Sequence, residues 1–326
     1  MSWLESRRGR LRAAMVLVAT VVIGIAVVGG RGGADSAAVA PTRDVSAALS
    51  TAGCASGREE PQTREFTLRV LRPEGDRTAL IRVPARAARR PSALVVALHG
   101  GGASGRFMKR YSGLARVSDR AGFVAVFPDA TGAHRFWNLD ATTAPDDVGF
   151  VDALIQQVAT VACVDPDRVF AVGVSNGGGL TARLGCELSG RVSGIVVVAG
   201  GFARLPACRP VRPVSVLEIH GSDDASVPYG GDPKDGRGGD VRTWLAGWAR
   251  RDGCEGTTPR RTVAPRSLRI DWRGCVADVA LAHIQVLGGG HQWPGASPPD
   301  PGPPSTFSAA QQAWAFLAPL RAPRAG

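Results

Sequence analysis

The sequence predicts an α/β fold: a mostly parallel central sheet with helices on both faces and an antiparallel N-terminal hairpin. Two observations carry this. Short, wholly apolar runs alternate with stretches of helical spacing, and a strand that is apolar along its whole length is one covered on both faces. The first two strand-like runs instead alternate apolar with polar residues and are joined by Arg72-Pro73-Glu74-Gly75-Asp76, a hairpin signature. With 326 residues and 44% apolar composition, the chain can bury a full core, which excludes a wholly disordered protein.

Along the chain, residues 7–12 read RRGRLR and precede the uninterrupted apolar run Ala13–Val28. A basic segment before an apolar one has the form of a secretory signal. Ala38-Val39-Ala40 supplies an A-x-A site, but Pro41 after it disfavours cleavage, so residues 1–40 are expected to be a signal peptide or an uncleaved N-terminal membrane anchor. It is the one stretch long and apolar enough to approach a bilayer span, which excludes a polytopic membrane protein. Residues 41–61 read as a flexible linker, 62–320 as one catalytic domain and 321–326 as a tail. Within the domain, strands are expected at Phe66–Val70, Thr78–Val83, Ala93–Leu98, Phe123–Phe127, Arg168–Val174, Gly194–Ala199, Val214–Ile219 and His283–Leu287. Helices are expected at Asp147–Val161, where Val148, Val151, Leu154, Ile155 and Val158 share a face, and at Gly177–Leu188, Val241–Arg251 and Ser308–Leu317.

The formal charge is +11, from 39 basic against 28 acidic residues. Nearly all of it is arginine, concentrated at the N-terminus and otherwise scattered. No basic stripe with aromatic platforms accompanies it, so nucleic acid is not an expected partner. Six cysteines in an exported chain suggest three disulfides, with fifteen possible pairings. Cys186 and Cys208 flank a strand, and Cys254 and Cys275 flank an irregular stretch. These two local pairs are expected, leaving Cys54 with Cys163. No C-x-x-C occurs, and neither a metal site nor a cofactor is expected.

The chemistry enters at Gly173-Val174-Ser175-Asn176-Gly177, a G-x-S-x-G that follows a predicted strand and opens a predicted helix. This is the setting of a nucleophile elbow in an α/β-hydrolase fold. In such a fold the acid and then the histidine follow the serine in chain order. His291, after Gly288-Gly289-Gly290, is the expected base, whereas His283 reads as structural. Asp223 and Asp224 compete as the acid, and Asp224 is favoured. The amide of Asn176 supplies one oxyanion donor. The His99-Gly100-Gly101-Gly102 loop supplies the other, with Gly101 favoured over Gly102. His99 and His220 read as loop-fixing residues.

Several segments form a series: Leu98–Gly101, Asp146–Phe150, Val164–Val169, Gly173–Gly178, IHGSDDASVPY at Ile219–Tyr229 and GGGHQWPG at Gly288–Gly295. Together they resemble the polyhydroxybutyrate depolymerase and feruloyl esterase family of secreted α/β-hydrolases, over about residues 65–318. The resemblance implies Ser175, Asp224 and His291 as a triad, the aspartate lying three residues after the glycine of HG. It implies pairings like 186–208 and 254–275, and a cleft lined by aromatics such as Trp137 and Trp293. Polymer-degrading members often carry a binding domain after the catalytic one, and this chain ends at Gly326, which shifts weight towards soluble esters. The expected partner is therefore an ester: a polyester oligomer, a feruloyl or acetyl polysaccharide, or a short-chain ester. A monomer is the default, and membrane contact is expected only if the N-terminal segment is uncleaved. A serine peptidase of the same fold and a non-catalytic cell-surface binding protein are the alternatives. The first is separated by amide substrates, and the second is disfavoured by the presence of all three triad residues.

Overall fold

A computed structural model of the protein describes residues 48–54, 62–88, 90–202, 205–232, 237–297, 300 and 305–322. The expected export or anchor segment lies outside the described residues, as does most of the expected linker. Part of that linker is docked: Leu49 is buried, and the turn Ala52–Cys54 is fastened by a Cys54–Cys163 disulfide. Among the described residues no helix is long and apolar enough to cross a membrane.

The strands are β1 (Arg64–Val70), β2 (Arg77–Val83), β3 (Ser92–Leu98), β4 (Val124–Pro128), β5 (Val164–Val174), β6 (Gly194–Val198), β7 (Ser215–Gly221), β8 (Gly230–Asp232), β9 (Arg237–Asp240), β10 (Gly256–Thr257), β11 (Arg261–Ala264), β12 (Ser267–Arg273) and β13 (Leu281–Val286). The helices are α1 (Gly105–Ser112), α2 (Leu114–Ala121), α3 (Asp147–Val161), α4 (Asn176–Glu187), α5 (Val241–Arg251) and α6 (Ala309–Leu317). The main sheet runs β1-β2-β4-β3-β5-β6-β7-β13-β12-β10, with β11 beside β12. Its centre, from β4 to β13, is parallel. Both flanks are antiparallel: β1 and β2 on one side, β12 with β10 and β11 on the other.

Strand β3 shows how the sheet divides the core. Leu94, Val96 and Leu98 face α3, α4 and α5, while Ala93, Val95 and Ala97 face α1, α2 and α6. Alternate residues point to opposite faces, so a strand apolar at every position packs on both. Helix α3 starts at Asp146, whose side chain accepts from the Gly149 amide. The expected parallel core and N-terminal hairpin are present. Three features differ from expectation. The 254–275 stretch is not irregular but holds β10, β11 and β12. His283 lies within β13 rather than at its start. Helices α1 and α2 follow the glycine loop, where no helix was expected. The parallel β-α alternation places the ends of β3, β5 and β7 along one edge, where loops of an open α/β sheet form a crevice.

Candidate active site

Strand β5 ends at Val174 and α4 begins at Asn176, so Ser175 alone makes the turn, at φ 57° and ψ −123°. A non-glycine residue rarely adopts this conformation, and here it lifts the side chain clear of both elements. The flanking glycines are required sterically. A Cβ on Gly173 would collide with the Gly177 carbonyl and Thr181, and one on Gly177 with the His99 and Leu98 carbonyls. The Ser175 amide donates to Val198 O on the neighbouring strand (2.9 Å). Asn176 heads α4, so its amide belongs to the first turn, which has no acceptor within the helix.

The glycine loop after β3 is set by neutral contacts. His99 is fully buried. Its Nε2 accepts from the Ala130 amide (3.1 Å), so Nδ1 carries the proton and donates to Gly100 O (2.7 Å). Burial lowers its pKa and keeps the ring neutral. The Gly102 amide donates to Arg135 O (3.2 Å), so of the two glycines considered as oxyanion donors, Gly102 is already engaged. The loop carrying Arg135 is itself pinned. Trp137 N donates to Asn176 Oδ1 (2.7 Å), and Asn176 Nδ2 returns a bond to Trp137 O (3.0 Å). Asn138 N donates to Asp147 Oδ2, and Arg183 donates to Asn138 O. Asp147 in turn pairs with Arg77, both side chains being buried.

On the other side, β7 leads into the loop of Asp224. Oδ1 accepts from the amides of Ser226 (2.9 Å) and Val227 (2.8 Å), and Oδ2 lies 2.8 Å from His291 Nδ1 and 3.3 Å from His220 Nε2. Burial would raise the carboxyl pKa, but bonds from His220, His291 and Val227 outweigh it and hold the group well below the usual carboxylate range. Asp223 is exposed, and its amide donates to Gly289 O (2.9 Å). Ser222 Oγ accepts from the Gly288 amide (2.8 Å), and Gly221 packs so closely on Gly289 that a Cβ would not fit. These contacts fasten the histidine loop to the acid loop.

Ser175 and His291 share one cavity of about 670 Å³, whose wall also includes Gly100, Gly101, Gly102, Phe107, Arg110, Tyr111, Arg135 and Asp300. Trp137 and Trp293, expected on the cleft wall, are instead core residues, 2% and 1% exposed. Each indole N–H is spent on a carbonyl, Trp137 on His99 O (2.9 Å) and Trp293 on Ser112 O (3.1 Å), so they hold loops in place. The cavity-wall aromatics are Phe107 and Tyr111, stacked at 5.0 Å. They lie on the unanticipated α1, and their i, i+4 spacing was the available signal. The disulfides are 54–163, 186–208 and 254–275, as expected. Glu218 was missed. It is fully buried on β7, with Oε1 2.8 Å from His220 Nδ1 and Oε2 2.7 Å from His283 Nδ1. Its signal is an acid two residues before a histidine in an otherwise apolar strand, which places both on one face.

Comparison with known proteins identifies the family. Residues 78–205 match the family described as esterase PHB depolymerase. "Putative esterase NocK" of Nocardia uniformis subsp. tsuyamanensis is 32% identical over 235 residues, covering 64% of this chain and 67% of that protein. The chain belongs to the polyhydroxybutyrate depolymerase and feruloyl esterase family of α/β-hydrolases. It is a carboxylic ester hydrolase. Feruloyl esterase B of Piromyces equi is 30% identical over 166 residues, which cover 48% of this esterase and 31% of the fungal protein. The chain thus spans about a third of that relative's length. In fold, it is similar to acetyl xylan esterase from Aspergillus awamori, with a TM-score of 0.56 at 14% identity, covering 78% of this chain and 99% of the other.

Proposed function

We propose that Ser175, His291 and Asp224 form the catalytic triad of this esterase and that the amides of Asn176 and Gly101 form its oxyanion hole. The observation that carries the reading is the shared cavity: a serine on a positive-φ elbow at a helix N-terminus lines the same cavity as a histidine whose Nδ1 lies 2.8 Å from a buried carboxylate. His291 Nε2 removes the Ser175 proton as Oγ attacks the ester carbonyl, giving a tetrahedral oxyanion. The oxyanion collapses, the alcohol leaves with the proton from His291, and Ser175 keeps the acyl group. Water, deprotonated by His291, then releases the acid and restores the serine. Asp224 fixes the tautomer and stabilises the imidazolium. Each oxyanion donor contributes roughly 3 kcal/mol to the transition state. The chemistry requires no metal or organic cofactor.

For substrate, the size of the cavity and the stacked Phe107–Tyr111 pair support an ester with a compact apolar or aromatic acyl group. The names of the relatives point to hydroxycinnamoyl esters, and the family to hydroxyalkanoate oligomers. Three disulfides support export to an oxidising compartment. The test is Ser175→Ala. The variant should lose hydrolysis of 4-nitrophenyl butyrate and labelling by a fluorophosphonate while keeping its melting temperature. Retained hydrolysis would overturn the assignment. A panel of feruloyl, acetyl and hydroxybutyryl esters, ranked by kcat/KM, then selects the substrate class.

A further inference from the structure

The strongest feature left unused by this mechanism is a chain of buried titratable groups behind the triad: Tyr229, His283, Glu218 and His220, ending at Asp224. We propose that His220 is a permanent imidazolium that holds Asp224 in place and eases proton release from His291, making it a positioning residue for the triad. The inference rests on the triad reading above.

The protonation state follows from what each nitrogen faces. His220 Nδ1 lies 2.8 Å from Glu218 Oε1, and Nε2 lies 2.9 Å from Val227 O and 3.3 Å from Asp224 Oδ2. All three are acceptors, so each ring nitrogen must carry a proton, and a ring with two N–H groups is cationic. His283 contrasts with it on the same carboxylate. Its Nδ1 lies 2.7 Å from Glu218 Oε2 and 3.3 Å from the Glu218 carbonyl oxygen, both acceptors, but Nε2 faces the Tyr229 hydroxyl at 2.9 Å, which can donate, so the neutral ring is satisfied. The titratable groups facing His220 are Glu218 on its own strand, Asp224 on the next loop and Tyr229 edge-on at 5.8 Å. His283 and His291 act through Glu218 and Asp224. The energetics agree in direction. Burial alone would lower the His220 pKa, but the Glu218 charge and the bonds to Asp224, Glu218 and Val227 raise it to about 10. Burial likewise works against the Glu218 anion, and the two histidines hold its pKa below the usual range.

The consequence reaches the reaction through one atom. Asp224 Oδ2 receives the His291 Nδ1 proton and also faces the His220 cation. That cation offsets part of the carboxylate charge that would otherwise favour protonated His291. Removing it leaves His291 against an uncompensated carboxylate, and the pH profile of the reaction reads that change.

Two measurements test this. In His220→Gln the acid limb of the kcat/KM profile for 4-nitrophenyl butyrate should move up by about one pH unit. Glu218→Gln removes the anion that keeps His220 protonated, so His220 should lose its charge over part of the pH range and the limb should move in the same direction by less. An unmoved limb in folded His220→Gln overturns the proposal, whatever the loss at the plateau. Where these variants fail to fold, full-length wild-type protein labelled with ¹⁵N-histidine decides. One of its five histidines should show both ring nitrogens protonated from about pH 6 to about pH 9. If no ring stays doubly protonated above about pH 8, the cation does not exist. This spectrum does not depend on turnover, so a Ser175→Ala variant that kept its activity would bring down the triad reading and leave the state of His220 to be read separately.

Discussion

On the Ser175 side of the cavity the contacts nearest the serine are backbone and neutral side-chain contacts, with the charged Arg77–Asp147 pair one layer further out; on the His291 side the histidine's own partner is a carboxylate backed by a second buried histidine. Two buried histidines mark the contrast. His99, under the oxyanion loop, faces one carbonyl and one amide and is neutral. His220, behind the acid, faces only acceptors and is best satisfied as a cation. Both are almost wholly buried, so burial does not decide the charge; the partners do. The two sides also have different tasks. An oxyanion donor must be in place before charge develops, which rigid backbone achieves. A proton carrier must change charge in each cycle, and a surrounding set of charges can balance that change.

The charged side should be the most costly to alter without moving atoms. Asp224→Asn keeps the shape but can present an amide to His291 Nδ1, and kcat should fall about 10⁴-fold with the melting temperature little changed. A loss under tenfold would break the contrast, because it would make the acid dispensable. On the backbone side, the matching probe adds one carbon. In Gly177→Ala the new Cβ meets the carbonyls of Leu98 and His99, which belong to the strand and loop that lead into the proposed oxyanion donor Gly101. Stability should fall by about 3 kcal/mol and kcat by about 10²-fold together, since the elbow and the oxyanion loop shift as one. Thermal melting and steady-state kinetics on the same preparation test the coupling. A kcat loss with unchanged stability would mean that the loop moves independently.

The same contrast explains what the sequence made legible. The parallel strands, α3, α4, α5 and the elbow were readable because apolar periodicity and glycine chemistry are local signals. The Asp224–His291 pair was readable from chain order and loop position, and the structure joins them at 2.8 Å. Glu218 was not, because its role depends on pairing β7 with β13, which sets His283 directly beside it in register. Trp137 and Trp293 were assigned to the cleft because aromatics near a catalytic loop serve equally as wall or as wedge. Only the partners of their indole N–H groups separate the two. Helices α1 and α2 were hidden by their polar faces and by the glycine loop before them.

The two histidines also predict opposite pH dependence of stability. His220 has a folded pKa raised from 6.5 to about 10. Its contribution is fully present below about pH 6.5 and is lost as pH rises towards 10. His99 has a lowered folded pKa, so its contribution is present above about pH 6.5 and is lost as pH falls through the folded value. Asp224, also lowered, loses its contribution as pH falls below about 4. Melting temperature should therefore peak near pH 6 to 7 and fall by roughly 5 °C towards pH 9. His220→Gln should flatten the alkaline fall, and His99→Gln the decline below about pH 6.5. If either variant flattens the opposite limb, the protonation states are exchanged.

The smallest effect tests whether charge also reaches the substrate. Arg110 and Arg135 line the cavity, and its acidic wall residue, Asp300, already accepts bonds from the Tyr111 hydroxyl and the Trp293 amide. An ester carrying a free carboxylate should be favoured over a neutral one of similar size. Mono-4-nitrophenyl succinate should exceed 4-nitrophenyl butyrate by about threefold in kcat/KM at low salt, and the ratio should approach one at high salt. Both arginines are exposed, and screening by water keeps the effect small. The ratio should also approach one in Arg110→Gln/Arg135→Gln, but not in Arg120→Gln, which removes an exposed charge from α2. An equal loss in Arg120→Gln would assign the preference to net charge, and the cavity wall would then act on substrate through shape alone.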